Sequence, residues 1–342
     1  MNSNRNSPLG RAFEQQFSQS NLVSGGFGFQ CGGGAPEIYV GGTKSRTDLT
    51  PVPVDAAWHI GSITKTFTAA LVLMLAQDGQ IDIDAPVATY FDAENMHSDW
   101  RALTLAQVLG HRAGIQPNPN RADMLALYAG KQDRHQLLSA QWRAPLPGKP
   151  GAFQYSNIGY IFAAYVIETV TGQSWEDLLR ARIINPLGLS SFGIGPPAGL
   201  RGHRSALGLF KRPVAPQAPR ADNPPVFTPA GRMHLSIADM LTWGRFLLSA
   251  EQGDNAQLAR AHMQRMTDTL GGDYGMGLMR FGIPGTGQMA WGHDGSNRLW
   301  YGLLAIVPAQ NAVGFVISGE GRMRKVAKLG IALMAQALNA KA

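Results

Sequence analysis

The segment Gly61-Ser62-Ile63-Thr64-Lys65 runs into a nearly continuous apolar stretch over residues 67–76, which ends at Gln77-Asp78-Gly79. That pattern predicts a buried helix. Helical positions three apart share a face, so the hydroxyl of Ser62 and the amine of Lys65 become neighbours. Ser62 then sits at the helix N-terminus, where free backbone N–H groups and the positive end of the dipole favour an ionised serine and an oxyanion. A desolvated Lys65 gives up its proton more readily and can act as that serine's base. A helix-capping serine followed by a surface lysine has the same spacing, and only the rest of the chain separates the two readings.

Two later segments bear on that choice. Pro147, Gly148, Pro150 and Gly151 force an irregular loop leading to Tyr155-Ser156-Asn157, after which residues 158–170 read as an apolar helix. Tyr155 and Asn157 therefore lie on a loop at a helix start, a common place for catalytic groups. A phenol can relay a proton between nucleophile and leaving group, and an asparagine amide can hold a substrate carbonyl or orient the lysine. A packed tyrosine beside an Asx cap would look the same. The other segment is Trp291-Gly292-His293-Asp294-Gly295-Ser296-Asn297, between residues 274–281 and 300–307, whose β-branched, aromatic and glycine content predicts antiparallel strands. Gly295 would let substrate lie along the strand edge, with His293 facing the pocket as a polar contact. Asp-Gly is also a strong hairpin signal, so an ordinary turn stays open.

In this order the segments resemble the serine β-lactamase and penicillin-recognising hydrolase superfamily. The resemblance is to its branch of class C β-lactamases, D-alanyl-D-alanine carboxypeptidases, D-aminopeptidases and family VIII esterases. His59-Ile60-Gly61-Ser62-Ile63-Thr64-Lys65-Thr66-Phe67-Thr68 is similar to that branch's nucleophile segment, and Leu109-Gly110-His111-Arg112-Ala113-Gly114-Ile115 to its Leu-Leu-Thr-His-Thr-Ser-Gly-Leu stretch. The segments beginning at Ala230-Gly231-Arg232 and at Tyr274-Gly275-Met276-Gly277 likewise resemble branch elements, and the likeness runs over residues 59–318.

The resemblance implies Ser62 as nucleophile, Lys65 as its base partner, Tyr155 as proton relay and Asn157 as a substrate contact. It also implies an oxyanion hole made of the backbone N–H groups of Ser62 and Ser296. His293-Asp294-Gly295 stands where the branch has Lys-Thr-Gly or His-Thr-Gly, so these three residues are expected to bind substrate. An aspartate facing the pocket repels anionic substrates and so disfavours efficient penicillin or cephalosporin hydrolysis. Arg298, or Arg322 and Arg324 at the start of a C-terminal helix, could restore an anion site, though solvated surface cations are the plainer reading.

The expected fold is α/β in the α+β sense, β-lactamase/transpeptidase-like. Strands near residues 21–41 and 274–318 form an antiparallel sheet flanked by the Ser62 helix and a C-terminal helix over 324–338, and a mostly helical lobe faces it across the active-site cleft. Residues 1–79 and 256–342 are assigned to the sheet lobe and 80–255 to the helical lobe, together one catalytic unit. A chain of 342 residues with 44% hydrophobic content can bury about three quarters of its unfolded surface, enough for both. Residues 193–229, dense in glycine, proline and basic residues, read as a long loop at the cleft rim that sets substrate range or is an inert excursion.

The net charge of +7 comes from scattered cations without interleaved aromatics, so a small-molecule or peptide substrate is expected and no nucleic acid. Cys31 is the only cysteine, which excludes an intrachain disulfide. The eight histidines show no metal-ligand spacing, and no metal or cofactor is expected. Residues 69–76 are too few to span a bilayer, and residues 1–24 contain no signal-peptide core. The resemblance favours a periplasmic or secreted site, while the sequence at face value allows the cytoplasm. The expected function is a serine hydrolase that forms an acyl-enzyme on an ester, amide or β-lactam bond, esterase or peptidase activity being favoured. The alternative is a penicillin-binding sensor that acylates once without turnover. Class C relatives deacylate with a tyrosine and a lysine, and both are present.

Overall fold

The computed structural model describes residues 4–90, 94–206 and 210–341. Among these the strands are β1 (Ser24–Cys31), β2 (Glu37–Gly42), β3 (Ala57–His59), β4 (Gly193–Ile194), β5 (Gly202–Ala206), β6 (Phe210–Val214), β7 (Met233–Ser236), β8 (Met279–Ile283), β9 (Gln288–Ser296), β10 (Tyr301–Val307) and β11 (Ala312–Ser318). The two ends of the chain build one antiparallel sheet in the order β2-β1-β11-β10-β9-β8. Successive side chains of a strand point to opposite faces, and here both faces are covered. Leu304, Ile306, Val313, Phe315 and Ile317 enter the larger core, and Leu303, Ala305, Val307, Ala312 and Val316 the smaller one. That is why β10 and β11 are apolar at nearly every position rather than alternating.

Helices Pro8–Ser20 and Met323–Asn339 close the smaller core. The first is capped by Ser7, whose side chain accepts from the N–H of Gly10, and it turns Leu9 and Phe13 inward. Helix Ile237–Gln252 covers the opposite face, with Ile237 and Leu241 over Gly26 and Gly28 of β1. Although it falls in the middle of the sequence, it packs on the sheet. From it Trp243 stacks on Phe67, ring centroids 4.0 Å apart, and donates its indole N–H to Thr66 Oγ1 at 2.8 Å.

Phe67 belongs to helix Thr64–Gln77, in which residues 64–75 are all buried. Its threonines are tolerated there because each hydroxyl donates to a carbonyl: Thr64 to Gly61 at 2.7 Å, Thr66 to Ile63 at 2.8 Å and Thr68 to Pro229 at 2.7 Å. Lys65 is the one charged residue of this helix and is completely buried.

The stretch 193–229, read in the sequence as a loop, carries structure. Strand β4 pairs with β7, and β5 with β6 as an antiparallel hairpin, while residues 207–209 lie outside the described residues. Among the described residues no helix is long and apolar enough to cross a membrane.

Candidate active site

Strand β3 leads directly into a 3-10 turn over Gly61–Ile63, which runs on into helix Thr64–Gln77. Ser62 therefore stands at the head of the buried helix. Gly61 has φ +54, a left-handed conformation that glycine adopts without the Cβ clash of other residues. Behind the serine, Lys65 Nζ lies 3.2 Å from Ser62 Oγ and donates to Asn157 Oδ1 at 2.7 Å and to the Ala230 carbonyl at 2.6 Å. The amine lies 4.8 Å from the ring centroid of Tyr155 and 5.4 Å from that of Tyr160. Burial penalises its charged form and holds its pKa well below the ordinary lysine value, with the Asp294 charge opposing that shift.

Tyr155 lies on the loop before helix Asn157–Thr171, and its hydroxyl hydrogen-bonds Ser62. Burial raises its pKa above the ordinary phenol value, so it stays protonated at neutral pH. Asn157 opens the helix, accepting a hydrogen bond from Lys65 Nζ on Oδ1 while its Nδ2 donates to Asn118 Oδ1 at 2.8 Å. Ser62, Lys65, Tyr155 and Asn157, read from separate segments of the sequence, thus form one bonded cluster.

Strand β8 pairs with β9 only as far as Gly292, so the edge of β9 from His293 onward faces the Gly61–Ile63 turn instead. The approach is backbone to backbone. A Cβ on Gly295 would lie 2.0 Å from the Ile60 carbonyl oxygen and 2.7 Å from Ser62 N, and one on Gly61 would lie 2.4 Å from Ser296 N. Only glycines let the two segments meet, and Ser62 and Ser296 both line the resulting cleft.

His293 is buried, with Nε2 at 3.1 Å from the Tyr274 hydroxyl and Nδ1 against the Asp294 carbonyl. Strand alternation places Asp294 on the other face of β9, where it hydrogen-bonds the Tyr301 hydroxyl. None of His293, Asp294 and Gly295 is among the cleft-lining residues. His293 is bonded to Tyr274, Asp294 to Tyr301, and Gly295 packs against the backbone of Ile60 and Ser62, so the direct substrate contacts expected of them are replaced by internal ones. Arg298 lines the cleft and Arg322 and Arg324 do not.

Two positioning devices were not assigned from the sequence. His111, at φ +57, accepts the Gln154 N–H on its carbonyl at 2.7 Å and the Ser156 N–H on Nδ1 at 3.0 Å. It therefore brackets Tyr155 on both sides, with its ring 4.3 Å from the tyrosine ring. The second device is Asp222, in the stretch 193–229. One carboxylate oxygen meets His59 Nε2 at 3.0 Å and accepts from Asn297 Nδ2 at 3.1 Å, and the other accepts from Arg232 Nε at 3.2 Å. His59 Nδ1 in turn accepts the Gly61 N–H at 3.2 Å. A single buried carboxylate thus ties the residue before Ser62 to the residue after Ser296. Burial opposes ionisation of Asp222, but His59, Arg232 and Asn297 together hold its pKa below the usual carboxylate value.

The cluster has a consequence for acid stability. Burial, with Lys65 adding to it, pushes His293 down to about 3, and burial with Lys65 and His293 holds His111 well below its ordinary value. Tyr155, Tyr274 and the Asp294 carbonyl also face His293. The unfolded chain binds a proton at His293 near pH 6.5, whereas the folded protein does so only near pH 3. Acidification through that window therefore favours unfolding, at up to ~1.4 kcal/mol per pH unit for one histidine. Urea unfolding at pH 7, 6 and 5 is expected to show stability falling with pH, and a His293→Gln protein a shallower slope. Equal slopes would contradict this assignment.

Residues 13–340 match the family model described as Beta-lactamase. Penicillin-binding protein 4 of Amycolatopsis lactamdurans is 28% identical over 312 residues, covering 82% of this chain and 76% of that protein. An unguisins hydrolase of Aspergillus campestris is 29% identical over 219 residues, which cover 59% of this chain and 39% of that protein. Among solved structures, the D-amino acid amidase from Ochrobactrum anthropi SV3 superposes with a TM-score of 0.82 at 20% identity, covering 98% of this chain and 100% of that one. A class C beta lactamase from Rhodobacter sphaeroides does so with a TM-score of 0.76 at 22% identity, covering 96% and 99%. At such identities these likenesses speak for the fold. The family match, over nearly the whole length, goes further: the chain belongs to the Beta-lactamase family.

Proposed function

We propose that the protein is a serine hydrolase that forms an acyl-enzyme on Ser62 and acts on esters and amides in preference to β-lactams. The observation that carries this reading is the buried Lys65 amine, 3.2 Å from Ser62 Oγ in surroundings that depress its pKa. Ser62 Oγ attacks the carbonyl carbon and passes its proton to Lys65 Nζ. The N–H groups of Ser62 and Ser296 hold the oxyanion, a donor of this kind being worth on the order of 100-fold in rate. Tyr155, kept protonated, delivers a proton to the leaving group and regains one from the Lys65 ammonium, which leaves both groups neutral for the second half-reaction. Water then attacks the acyl carbon, and the same groups return Ser62 to its starting state.

The preference for esters and amides rests on the third segment. By the resemblance a lysine and a threonine there would hold the β-lactam carboxylate beside the scissile bond. Here His293 is bonded to Tyr274 and Asp294 to Tyr301, and the Asp294 charge reaches Lys65, so these two positions offer that carboxylate no partner next to Ser62. One structural neighbour is a D-amino acid amidase and another was solved as SurE with D-Leu, so D-phenylalanine p-nitroanilide is the amide to try.

The test is a parallel burst and steady-state assay with p-nitrophenyl butyrate, that anilide and a chromogenic cephalosporin. Steady turnover of the ester or anilide with little on the cephalosporin is expected. Faster steady turnover of the cephalosporin would make the protein a β-lactamase. A stoichiometric burst with no turnover would make it a sensor.

A further inference from the structure

The cleft in front of Ser62 encloses about 960 Å³ and is lined by four arginines, Arg121, Arg204, Arg220 and Arg298. All four are exposed, and among the described residues none has an ion-pair partner. Among the described residues the one carboxylate in the cleft wall, Asp222, is already engaged by His59 and Arg232. Like charges gathered around a concave surface repel one another and focus a positive potential into it.

Two of these arginines also sit on unfavourable backbone. Arg220 has φ +59 and Arg298 φ +72, left-handed values that a residue with a Cβ adopts at a cost of about 1–2 kcal/mol. Arg220 Cζ lies 5.6 Å from the Tyr128 ring centroid, and Tyr128 lines the same cleft. The backbone N–H of Arg298 donates to Ser296 Oγ at 2.9 Å, which puts that arginine beside the nucleophile's end of the cleft. Met124, Leu125 and Leu299 add an apolar wall. A guanidinium pairs with a carboxylate through two parallel N–H···O bonds, and the apolar wall accommodates a hydrocarbon stem.

We propose that the cleft takes substrates bearing a carboxylate on an apolar stem, remote from the bond attacked by Ser62. The proposal rests on the serine-hydrolase reading and adds the substrate class to it. Asp294 is bonded to Tyr301 and is absent from the cleft wall, but its charge reaches Lys65 and Tyr155, so the substrate carboxylate is accommodated only away from the bond attacked, among the arginines.

The test compares two esters of matched length, p-nitrophenyl hydrogen glutarate and p-nitrophenyl valerate. The glutarate ester is expected to have a kcat/KM at least about tenfold higher at about 20 mM salt, with the ratio falling towards one at about 0.5 M. The ratio should also fall in the Arg220→Gln/Arg298→Gln double variant. If that variant does not fold, Arg121→Gln/Arg204→Gln, exposed side chains without hydrogen bonds among the described residues, gives the same reading. In parallel, Ser62→Ala protein is titrated calorimetrically with glutaranilic acid and with neutral valeranilide, which report binding without turnover. Tighter binding of the acid, weakened by the arginine substitutions, supports the proposal even if neither ester is hydrolysed, in which case the serine-hydrolase reading alone fails. Equal kcat/KM values without salt dependence, or equal binding of the two anilides, would overturn it.

Discussion

Ser62→Ala protein is expected to lose on the order of 10⁴-fold or more in kcat on p-nitrophenyl butyrate, while its urea midpoint stays within about 0.5 kcal/mol of the parent. The serine sits in a partly exposed turn at the cleft wall rather than in the core. Its hydroxyl is bonded to Lys65 and Tyr155, and both keep other surroundings when it is removed. Lys65 retains the Asn157 and Ala230 oxygens, and Tyr155 remains packed against His111. The fold therefore loses little. A hydrolase whose chemistry passes through this oxygen loses nearly everything, because removing the nucleophile of a cooperating group costs about as much as removing the whole group. Kinetics and urea unfolding on one preparation separate the two effects, and near-parent activity in Ser62→Ala would remove Ser62 from the mechanism.

Lys65→Ala is expected to cost on the order of 10³-fold in kcat, within the range of a positioned general base. Two groups touch the serine, and their environments divide the roles. Burial drives the Lys65 amine towards its neutral, proton-accepting form, and the same burial drives the Tyr155 phenol away from its anionic form. At neutral pH the lysine is thus the group ready to take a proton and the tyrosine the group ready to give one. The sign of the pH dependence follows. Activity should rise with pH as Lys65 deprotonates, at a pH below the ordinary lysine value. His293 and His111, both held neutral, should add no limb near pH 6.5. A pH–rate profile of the parent and rate measurements on Lys65→Ala check this together. Undiminished turnover in Lys65→Ala would transfer the base role to another group.

Local spacing explains why the grouping of Ser62, Lys65, Tyr155 and Asn157 in the candidate site was legible in the sequence. Ser62 and Lys65 lie three residues apart on a helix announced by its own apolar run, and Tyr155 and Asn157 flank a helix start marked by proline and glycine. The sheet was legible for the same reason, since β10 and β11 are apolar runs of strand length bounded by turns. What was not legible depends on contacts between distant segments. Asp222 meets His59 across 163 positions and Asn297 across 75, and no local pattern marks it. The four cleft arginines are scattered singly in the sequence, and only folding collects them on one surface.

The composition of residues 193–229 hid the β5–β6 hairpin, because glycine, proline and cations mask strand periodicity. The N-terminal helix was missed because its inward stripe at Leu9 and Phe13 is thin within a polar stretch. The orientation of Asp294 could have been foreseen. The two-residue period of a strand puts His293 and Asp294 on opposite faces, so both could not have faced the pocket, and in the structure neither lines the cleft.

The proposed hydrolysis passes through a covalent acyl-enzyme on Ser62. The most direct measurement is peptide mapping by mass spectrometry after acid quench of the protein caught early in turnover of p-nitrophenyl butyrate. The account predicts a butyryl group on the peptide containing Ser62, absent from the Ser62→Ala protein. Ester turnover by the parent protein with no adduct on that peptide, or with an adduct on another residue, would contradict it.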